Sequence, residues 1–202
     1  MVNFQKEHYS YEDMLEIMRL LRAPGGCPWD AEQTHESIRR NFLEETCEAV
    51  EAIDNHDMPA LREELGDVLM QVIFHAQMEA EVGGFTMQDV IDGLCRKLVY
   101  RHPHVFSDVK VANSDEVLTN WEALKRQEKA QRSTADAIDA VAKTLPALWR
   151  AEKMESKAAK AGFAWPEGSD GALRKLEEEV GELRSAVESG SVDGRHGVRE
   201  EV

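Results

Sequence analysis

The sequence lacks any apolar run long enough to cross a membrane. Its densest apolar stretch, residues 68–74, is interrupted by Gln71, whereas a membrane-spanning helix needs about 20 predominantly apolar residues. The first residues also lack a basic segment followed by an apolar one, which is the pattern of a secretory signal peptide. From these two absences we expect no membrane partner and a cytoplasmic location.

Cysteine, glycine, proline and aromatic residues are all scarce. The 202 residues include 3 cysteines, 13 glycines and 6 prolines, and 6% of them are aromatic. Three widely separated cysteines do not make a disulfide framework, so we expect free thiols in a reducing compartment. The low glycine, proline and aromatic contents, with 42% hydrophobic and 31% charged residues, are typical of a globular protein built from helices rather than sheets.

Positive charge is also in short supply. Lys and Arg number 24 against 39 Asp and Glu, which gives a formal net charge of −15. A chain this acidic is a poor candidate for non-specific binding to a phosphate backbone. We therefore expect no nucleic-acid partner, and any polyanionic ligand would need a cation to mediate its contact with the protein.

What the sequence does contain is helical periodicity along most of its length. No segment alternates between polar and apolar residues for long enough to predict a strand. Ser10 and Thr86 stand at positions that favour helix N-caps. The predicted fold is an all-α antiparallel helical bundle with helices at residues 10–22, 32–55, 57–82, 86–101, 114–132, 145–161 and 170–189.

Three short motifs recur in the second half of the chain in the same order. The pairs are GGCPWD (25–30) with AGFAWP (161–166), NFLEETCE (41–48) with KLEEEVGE (175–182), and LREEL (61–65) with VREEV (198–202). This tandem repeat predicts a complete helical unit over 1–132, a linker over 133–144 and the front part of a second unit over 145–202.

Acidic residues concentrate on one sector of the segment 41–53, namely Glu44, Glu45, Glu48 and Glu51. Taken alone, such a sector is most simply explained as a solvated helix face. The next segment, 60–78, is apolar around almost its whole circumference and is therefore predicted to be buried. Because carboxylates are rarely buried without a partner, Glu64 and Asp67 on this second segment need an explanation.

A short connection between the two acidic segments predicts that they are antiparallel neighbours. Their packing would bring Glu45 and Glu48 opposite Glu64 and Asp67. Four carboxylates form a site of hard oxygen ligands, which suits Mg²⁺ or Mn²⁺ rather than zinc. The pattern thus indicates a metal-dependent site for a phosphorylated small molecule, while His75, on the same stripe, is more simply explained as a core histidine.

The chain also resembles a known family, the MazG nucleoside triphosphate pyrophosphohydrolases of the all-α NTP pyrophosphatase superfamily. The matching segments cover nearly the whole chain. The most specific feature is E-E-x-x-E followed by Glu-Leu-Gly-Asp between two flanking motifs. The segments are GCPWDAEQT (26–34), LEETCEAVEAI (43–53), LREELGDVLMQVIFHAQM (61–78), KLVYRHPHVF (97–106) and NWEALKRQEK (120–129).

The resemblance implies an activity and a set of site residues. The activity is hydrolysis of nucleoside triphosphates to the monophosphate and pyrophosphate, a house-cleaning of nucleotide pools, by a metal-activated water that attacks the α-phosphorus. The implied Mg²⁺ ligands are Glu45, Glu48, Glu64 and Asp67, with Glu44 close by in the catalytic set. The implied substrate contacts are Lys97, Arg101, Trp121 and Lys125.

The second copy of the acidic motif differs from the first. Glu178, Glu179, Glu182 and Glu201 stand at corresponding places, but the expected Asp would fall beyond Val202, and Lys175 stands where the first copy has Asn41. The alternative hypothesis is therefore a regulatory homodimer that holds nucleotide and metal with little or no turnover, and a third is a purely structural bundle. We expect a homodimer in either functional case, because a helix pair with two apolar faces cannot bury both alone.

Overall fold

The computed structural model describes residues 5–128, 133–163 and 168–188. Within these ranges the regular elements are all α-helices and no strand is formed, which confirms the predicted all-α class. The helices are α1 (Tyr11–Arg22), α2 (Pro28–Glu32), α3 (Arg39–Asp54), α4 (Met58–Glu81), α5 (Met87–Arg101), α6 (Pro103–Phe106), α7 (Ser114–Glu128), α8 (Thr134–Asp139), α9 (Ala147–Lys160) and α10 (Gly168–Glu188).

The two predicted N-caps are confirmed. The Ser10 hydroxyl accepts a hydrogen bond from the backbone N–H of Asp13, and the Asp13 carboxylate accepts one from the Ser10 N–H. Thr86 and Asp89 form the same reciprocal pair at the start of α5. Each capping box satisfies backbone donors that the first turn of a helix leaves unpaired.

The helix predicted over 32–55 is wrong at its start. The structure has a short helix α2, which Pro28 begins between the predicted helices, and then a break before α3. In the break, the Thr34 N–H donates to the Ser37 hydroxyl over 2.9 Å and the Ser37 N–H donates to the Thr34 hydroxyl over 3.2 Å. These local bonds compete with helix formation, which explains the interruption.

The segment predicted as a linker also contains a helix. Ser133 caps α8 through a capping box with Asp136, and Ala137 and Val141 are buried. The chain forms two compact units, Met1–Val111 and Ala112–Val202. This division groups α7 with the second unit, whereas the sequence motifs grouped 114–132 with the first; the tandem repeat and its boundaries stay predictions.

In the first unit, α4 is the central helix, against which α1, α3 and α5 pack. The turn between α3 and α4 is short, and His56 within it adopts the left-handed conformation with φ of 56°, so the two helices run antiparallel. The core is a cluster of buried side chains from α1, from the residue before α3 and from the C-terminal half of α4, namely Met18, Ile38, Ile73, Phe74 and Met78.

The N-terminal half of α4 is not buried within a single chain. Leu65 and Leu69 on α4 are 55% and 44% exposed, and Leu43 and Val50 on α3 are 57% and 40% exposed. The expectation of a helix buried on nearly all sides therefore holds only for its C-terminal half. The physical reason is that α1 and the core side chains cover only that half, which leaves an open apolar face beside the acidic residues.

None of the helices within the described ranges is long and apolar enough to traverse a lipid bilayer. All three cysteines, Cys27, Cys47 and Cys95, are free thiols, as predicted.

A nearly buried guanidinium ties three elements of the first unit together. Arg22, at the end of α1, donates from Nε and Nη2 to the Glu81 carboxylate at 2.9 Å and from Nη1 to the backbone carbonyls of Asp30 and Gln33. Its guanidinium carbon lies 5.2 Å from the Phe74 ring centre. One side chain thus connects α1, the end of α2 and the end of α4.

We expect Arg22→Ala to lower the free energy of unfolding by about 2 kcal/mol, because it leaves the two carbonyls and a carboxylate without their donor. Urea unfolding followed by circular dichroism measures this. Arg19→Ala is the matched control: its ion pair with Glu16 is exposed and should contribute less than about 0.5 kcal/mol. Equal effects of the two substitutions would contradict the assigned role of Arg22.

Candidate metal centre

Three glutamates of the first unit meet between α3 and α4. Glu45 and Glu48 lie one turn apart on α3, and Glu64 lies on the facing side of α4. One carboxylate oxygen of each lies within 4.8 Å of the others, and no other such group of three or more His, Cys, Asp or Glu side chains occurs among the described residues. We call these three residues the carboxylate cluster.

The pKa values in the carboxylate cluster report crowding of negative charge. Burial raises the pKa of Glu45, and the charges on Asp67, Glu48 and Glu64 raise it further. Burial also raises the pKa of Glu64, together with the charges on Glu48 and Asp67. Asp67 is half-buried, three residues after Glu64. It is therefore an electrostatic neighbour of the cluster, although it lies outside the group of three.

The donor set of the carboxylate cluster fits a divalent cation. Its ligand atoms are carboxylate oxygens, which Mg²⁺ and Mn²⁺ prefer. Within the described part of the chain, no lysine, arginine or histidine forms an ion pair with Glu45, Glu48 or Glu64. A bound cation would remove the repulsion that raises the two pKa values. Nothing in the geometry selects between the two metals.

The other two glutamates of α3, Glu44 and Glu51, lie outside the carboxylate cluster. Glu44 is exposed and its carboxylate accepts a hydrogen bond from Arg40 Nε at 2.8 Å, a pair four residues apart along the helix. Its charge nevertheless contributes to the raised pKa of Glu45. Glu51 is exposed. Within this sector Glu45 is half-buried, whereas Glu44, Glu48 and Glu51 are exposed.

Two of the predicted substrate contacts lie near the C-terminal end of α5, in the first unit. Lys97 is half-buried, and Arg101, one turn later, is only 6% exposed. Both residues are therefore packed into their own unit to a degree that their sequence spacing did not indicate. Their role in binding phosphate stays a prediction.

The other two predicted substrate contacts lie on α7, in the second unit. Lys125 Nζ is 4.6 Å from the centre of the Trp121 ring, a distance at which an ammonium is attracted to the face of an indole. The pair is thus formed as its i, i+4 spacing predicts, with the cation on the aromatic ring. Its contact with a nucleotide stays a prediction.

The second copy of the acidic motif has a different electrostatic environment. On α10, Lys175 Nζ forms ion pairs with Glu178 at 2.9 Å and with Glu179 at 3.0 Å, and these hydrogen bonds raise the pKa of Lys175. Glu182 follows on the same helix, whereas Glu201 lies outside the described residues. The corresponding residue of α3, Asn41, offers no positive charge.

One group of polar residues was not predicted. His35 Nδ1 lies 2.7 Å from His75 Nδ1, and His35 Nε2 lies 2.9 Å from Glu79 Oε1. The sequence signal was partial: His75 and Glu79 are one turn apart on α4, but nothing in the pattern pairs them with a loop residue 40 positions earlier. Between His75 and the carboxylate cluster, the Oε1 of Gln71 is buried without a hydrogen bond from any described group.

Comparison with known proteins places the residues of the carboxylate cluster within a recognised domain family. Residues 33–106, which hold the carboxylate cluster, match the family model described as the MazG nucleotide pyrophosphohydrolase domain. The chain is 44% identical over 178 residues to the nucleoside triphosphate pyrophosphohydrolase of Escherichia coli (strain K12), covering 86% of this chain and 68% of that protein.

Two further relatives and one solved structure show the extent of the match. The nucleoside triphosphate pyrophosphohydrolase/pyrophosphatase MazG of Thermotoga maritima is 41% identical over 187 residues, covering 93% of this chain and 71% of that protein. An uncharacterized protein of Bacillus subtilis, YabN, is 49% identical over 148 residues, which are 73% of this chain and 30% of that protein. A crystal structure of a MazG-related protein from Thermotoga maritima has a TM-score of 0.49 at 28% identity, covering 57% of this chain and 98% of that one.

This chain belongs to the MazG family of nucleoside triphosphate pyrophosphohydrolases. The identity to the two named enzymes, over more than two thirds of each, confirms the resemblance that the motifs predicted.

The raised pKa of Glu45 leads to a prediction for the metal-free protein. A carboxyl whose pKa is higher in the folded state contributes stability that is present below its ordinary pKa and is lost as the pH rises through the raised value. Replacing it by the neutral Glu45→Gln removes this loss. We therefore expect Glu45→Gln to melt at a higher temperature than the wild type without metal at pH 7.5, and the difference to shrink toward pH 4.

The same substitution should weaken the response to Mg²⁺. Binding to the native state raises the melting temperature, so the wild type should gain stability from millimolar Mg²⁺ and Glu45→Gln should gain less. Glu51→Gln, on the exposed side of the same helix, is the matched control and should respond as the wild type does. Indistinguishable Mg²⁺ responses of all three proteins would argue against a metal at the carboxylate cluster.

Proposed function

We propose that this chain hydrolyses nucleoside triphosphates to the nucleoside monophosphate and pyrophosphate, with Mg²⁺ bound at the carboxylate cluster. The observation that carries the proposal is the meeting of Glu45, Glu48 and Glu64 within 4.8 Å, with Asp67 beside them. The family and the activity named for its Escherichia coli and Thermotoga maritima relatives supply the reaction. We place the reaction in the cytoplasm, in keeping with the free thiols.

In this proposal the four acidic residues act together, Glu45, Glu48 and Glu64 as metal ligands and Asp67 as the fourth. A divalent cation bound there would supply charge neutralisation on the phosphates and would lower the pKa of a bound water. The carboxylates fix the position of the positive charge before substrate arrives, so little reorganisation is needed during the reaction. Mn²⁺ presents the same preference for oxygen ligands and is the second candidate.

The other predicted site residues also have roles in this proposal. Glu44, which adjoins the cluster and is held by Arg40, completes the proposed catalytic set by adding negative charge beside Glu45. Lys97 and Arg101 are proposed to contact the triphosphate. Trp121 and Lys125, which lie in the second unit, are proposed as a base-side and a phosphate-side contact.

The test is pyrophosphate release from a panel of ribo- and deoxyribonucleoside triphosphates with Mg²⁺. We expect Glu48→Ala and Asp67→Ala each to lower kcat/KM by about 100-fold or more, because each removes a carboxylate from the charge-stabilising site. Glu63→Ala, at an exposed position beside Glu64, should stay within about twofold of the wild type, as surface residues away from a site do.

Two outcomes would reject the proposed activity. Equal rates in the wild type and the two cluster variants would show that the carboxylates are not used. Thermal stabilisation by nucleotide and Mg²⁺ without any pyrophosphate would instead support the alternative, a regulatory protein that holds nucleotide and metal without turnover.

We also propose that the chain acts as a homodimer. Leu43 and Val50 lie seven residues apart on α3, and Leu65 and Leu69 lie one turn apart on α4; all four are at least 40% exposed. A contiguous apolar face of this kind marks an interaction surface. Its position next to the acidic residues would place the metal site beside the interface.

Static light scattering tests the assembly. We expect a dimer for the wild type and a monomer for the double variant Leu65→Lys and Leu69→Lys, because two buried ammonium groups would oppose association. Val109→Lys is the control, since Val109 is similarly exposed, at 45%, but lies outside this face. A monomeric wild type, or a double variant that still dimerises, would contradict the proposed interface.

A further inference from the structure

A second concave site lies beside the carboxylate cluster in the first unit. It is a groove of about 690 Å³ with almost entirely apolar walls, a size that suits a small organic ligand. Its polar groups are His35, His75 and Glu79. We call it the histidine groove; its lining residues are His35, Phe42, Val72, His75, Ala76, Glu79, Phe85 and Val90.

The two histidines of the groove are joined by a direct hydrogen bond. Their Nδ1 atoms are 2.7 Å apart, their ring planes differ by 2° and their ring centres are 5.0 Å apart. Nitrogens this close, in parallel rings whose centres are this far apart, place the rings end to end rather than face to face. One ring therefore donates an N–H to the lone pair of the other.

The neighbouring carboxylate decides which ring donates. Ionised Glu79 only accepts, so His35 Nε2, at 2.9 Å, carries the proton. In neutral His35 the other nitrogen, Nδ1, is then an acceptor, and His75 Nδ1 must be the donor. His75 Nε2 is consequently an acceptor, and among the described residues no group donates a hydrogen bond to it.

The surroundings preserve this arrangement. Burial lowers the pKa of His75, and the charge of His35 lowers it further, which favours the neutral ring that this hydrogen bonding requires. A Cβ at Gly84 would collide with the Glu79 carboxylate. The loop before α5 is therefore shaped to accept the carboxylate in the position that holds His35.

The histidine groove is lined in part by the same two helices that carry the carboxylate cluster. Phe42 lies one turn before Glu45 on α3, and His75 lies eight residues after Asp67 on α4, a rise of about 12 Å. This separation is comparable to the length of a nucleoside whose phosphates lie at the cluster. Two aromatic side chains, Phe42 and Phe85, are each about 40% exposed in the groove and can pack against a flat ring.

We propose that the histidine groove binds the nucleobase of the substrate, with His75 Nε2 accepting a hydrogen bond from an N–H group of the base. The assignment rests on the proposed triphosphate hydrolysis, which it extends to the base end of the substrate. Phe42 and Phe85 contact the faces of the base, in place of the base-side contact proposed above for Trp121. His35 and Glu79 are positioning residues, because they fix the tautomer of His75 without contacting the base.

Kinetics with and without a base test the assignment. For His75→Leu and for Phe85→Ala we expect KM for nucleoside triphosphates to rise about threefold to tenfold, the loss of one binding contact, with kcat within about twofold. The inhibition constant of inorganic triphosphate, which has no base, should not change. Val82→Ala, at a 79% exposed position outside the groove, is the control and should leave both constants unchanged.

The possible outcomes test the groove assignment and the proposed activity separately. Turnover by the wild type with an unchanged KM in both groove variants overturns the groove assignment alone. If the wild type releases no pyrophosphate, the proposed activity fails, and the dissociation constant of the nucleotide measured by calorimetry replaces KM in the same comparison. A groove variant that changes the oligomeric state but not nucleotide binding shows that a second copy of the chain occupies the groove, and also overturns the assignment.

Nitrogen NMR tests the positioning role separately. In the wild type we expect His75 to be protonated at Nδ1 and unprotonated at Nε2. In Glu79→Ala, His35 loses its acceptor and His75 should shift toward the tautomer protonated at Nε2. Unchanged nitrogen shifts of His75 in a folded Glu79→Ala protein would show that the carboxylate does not fix its tautomer.

Discussion

Repulsion among carboxylates is the constraint on which the first unit depends. The packing of α3 on α4 brings three glutamates within 4.8 Å of one another, where burial and the charges of neighbouring carboxylates raise the pKa values of Glu45 and Glu64. The apolar core on the C-terminal half of α4 and the buried Arg22 hold the helices together against this repulsion. The apolar core and the crowded carboxylates therefore lie at opposite ends of the same helix, with the core at its C-terminal end.

This separation explains how much of the structure could be predicted from the sequence. Periodicity and caps located most helices, because both are local properties of the chain. The meeting of Glu45 and Glu48 with Glu64 also follows from local information, since a short turn between two helices leaves them little choice but to pair. The exposed Leu65 and Leu69 could not be foreseen, because periodicity shows which face is apolar but not how many neighbouring helices are present to cover it.

The parts that sequence reasoning missed depend on side-chain hydrogen bonds. The break before α3 is made by Thr34 and Ser37, whose hydroxyls replace helical bonds. The contact between His35 and His75 joins a loop to a helix across 40 residues, and no periodic pattern relates such positions. Some features depend on one or two polar contacts between residues that are far apart in the sequence. Helical periodicity cannot predict such contacts.

The two copies of the acidic motif show that similar sequence motifs can form different ion pairs. On α10, Lys175 pairs with Glu179 four residues later, so that carboxylate is already neutralised by its own helix. On α3 the equivalent spacing joins Asn41 to Glu45, and a neutral side chain cannot do the same. Glu44 is the residue that α3 neutralises, through Arg40, whereas the pKa of Glu45 is raised by burial and by the charges of neighbouring carboxylates. A repeated motif thus does not repeat its electrostatic environment, because Lys175 pairs with carboxylates of its own helix, whereas Asn41 carries no charge with which to do so.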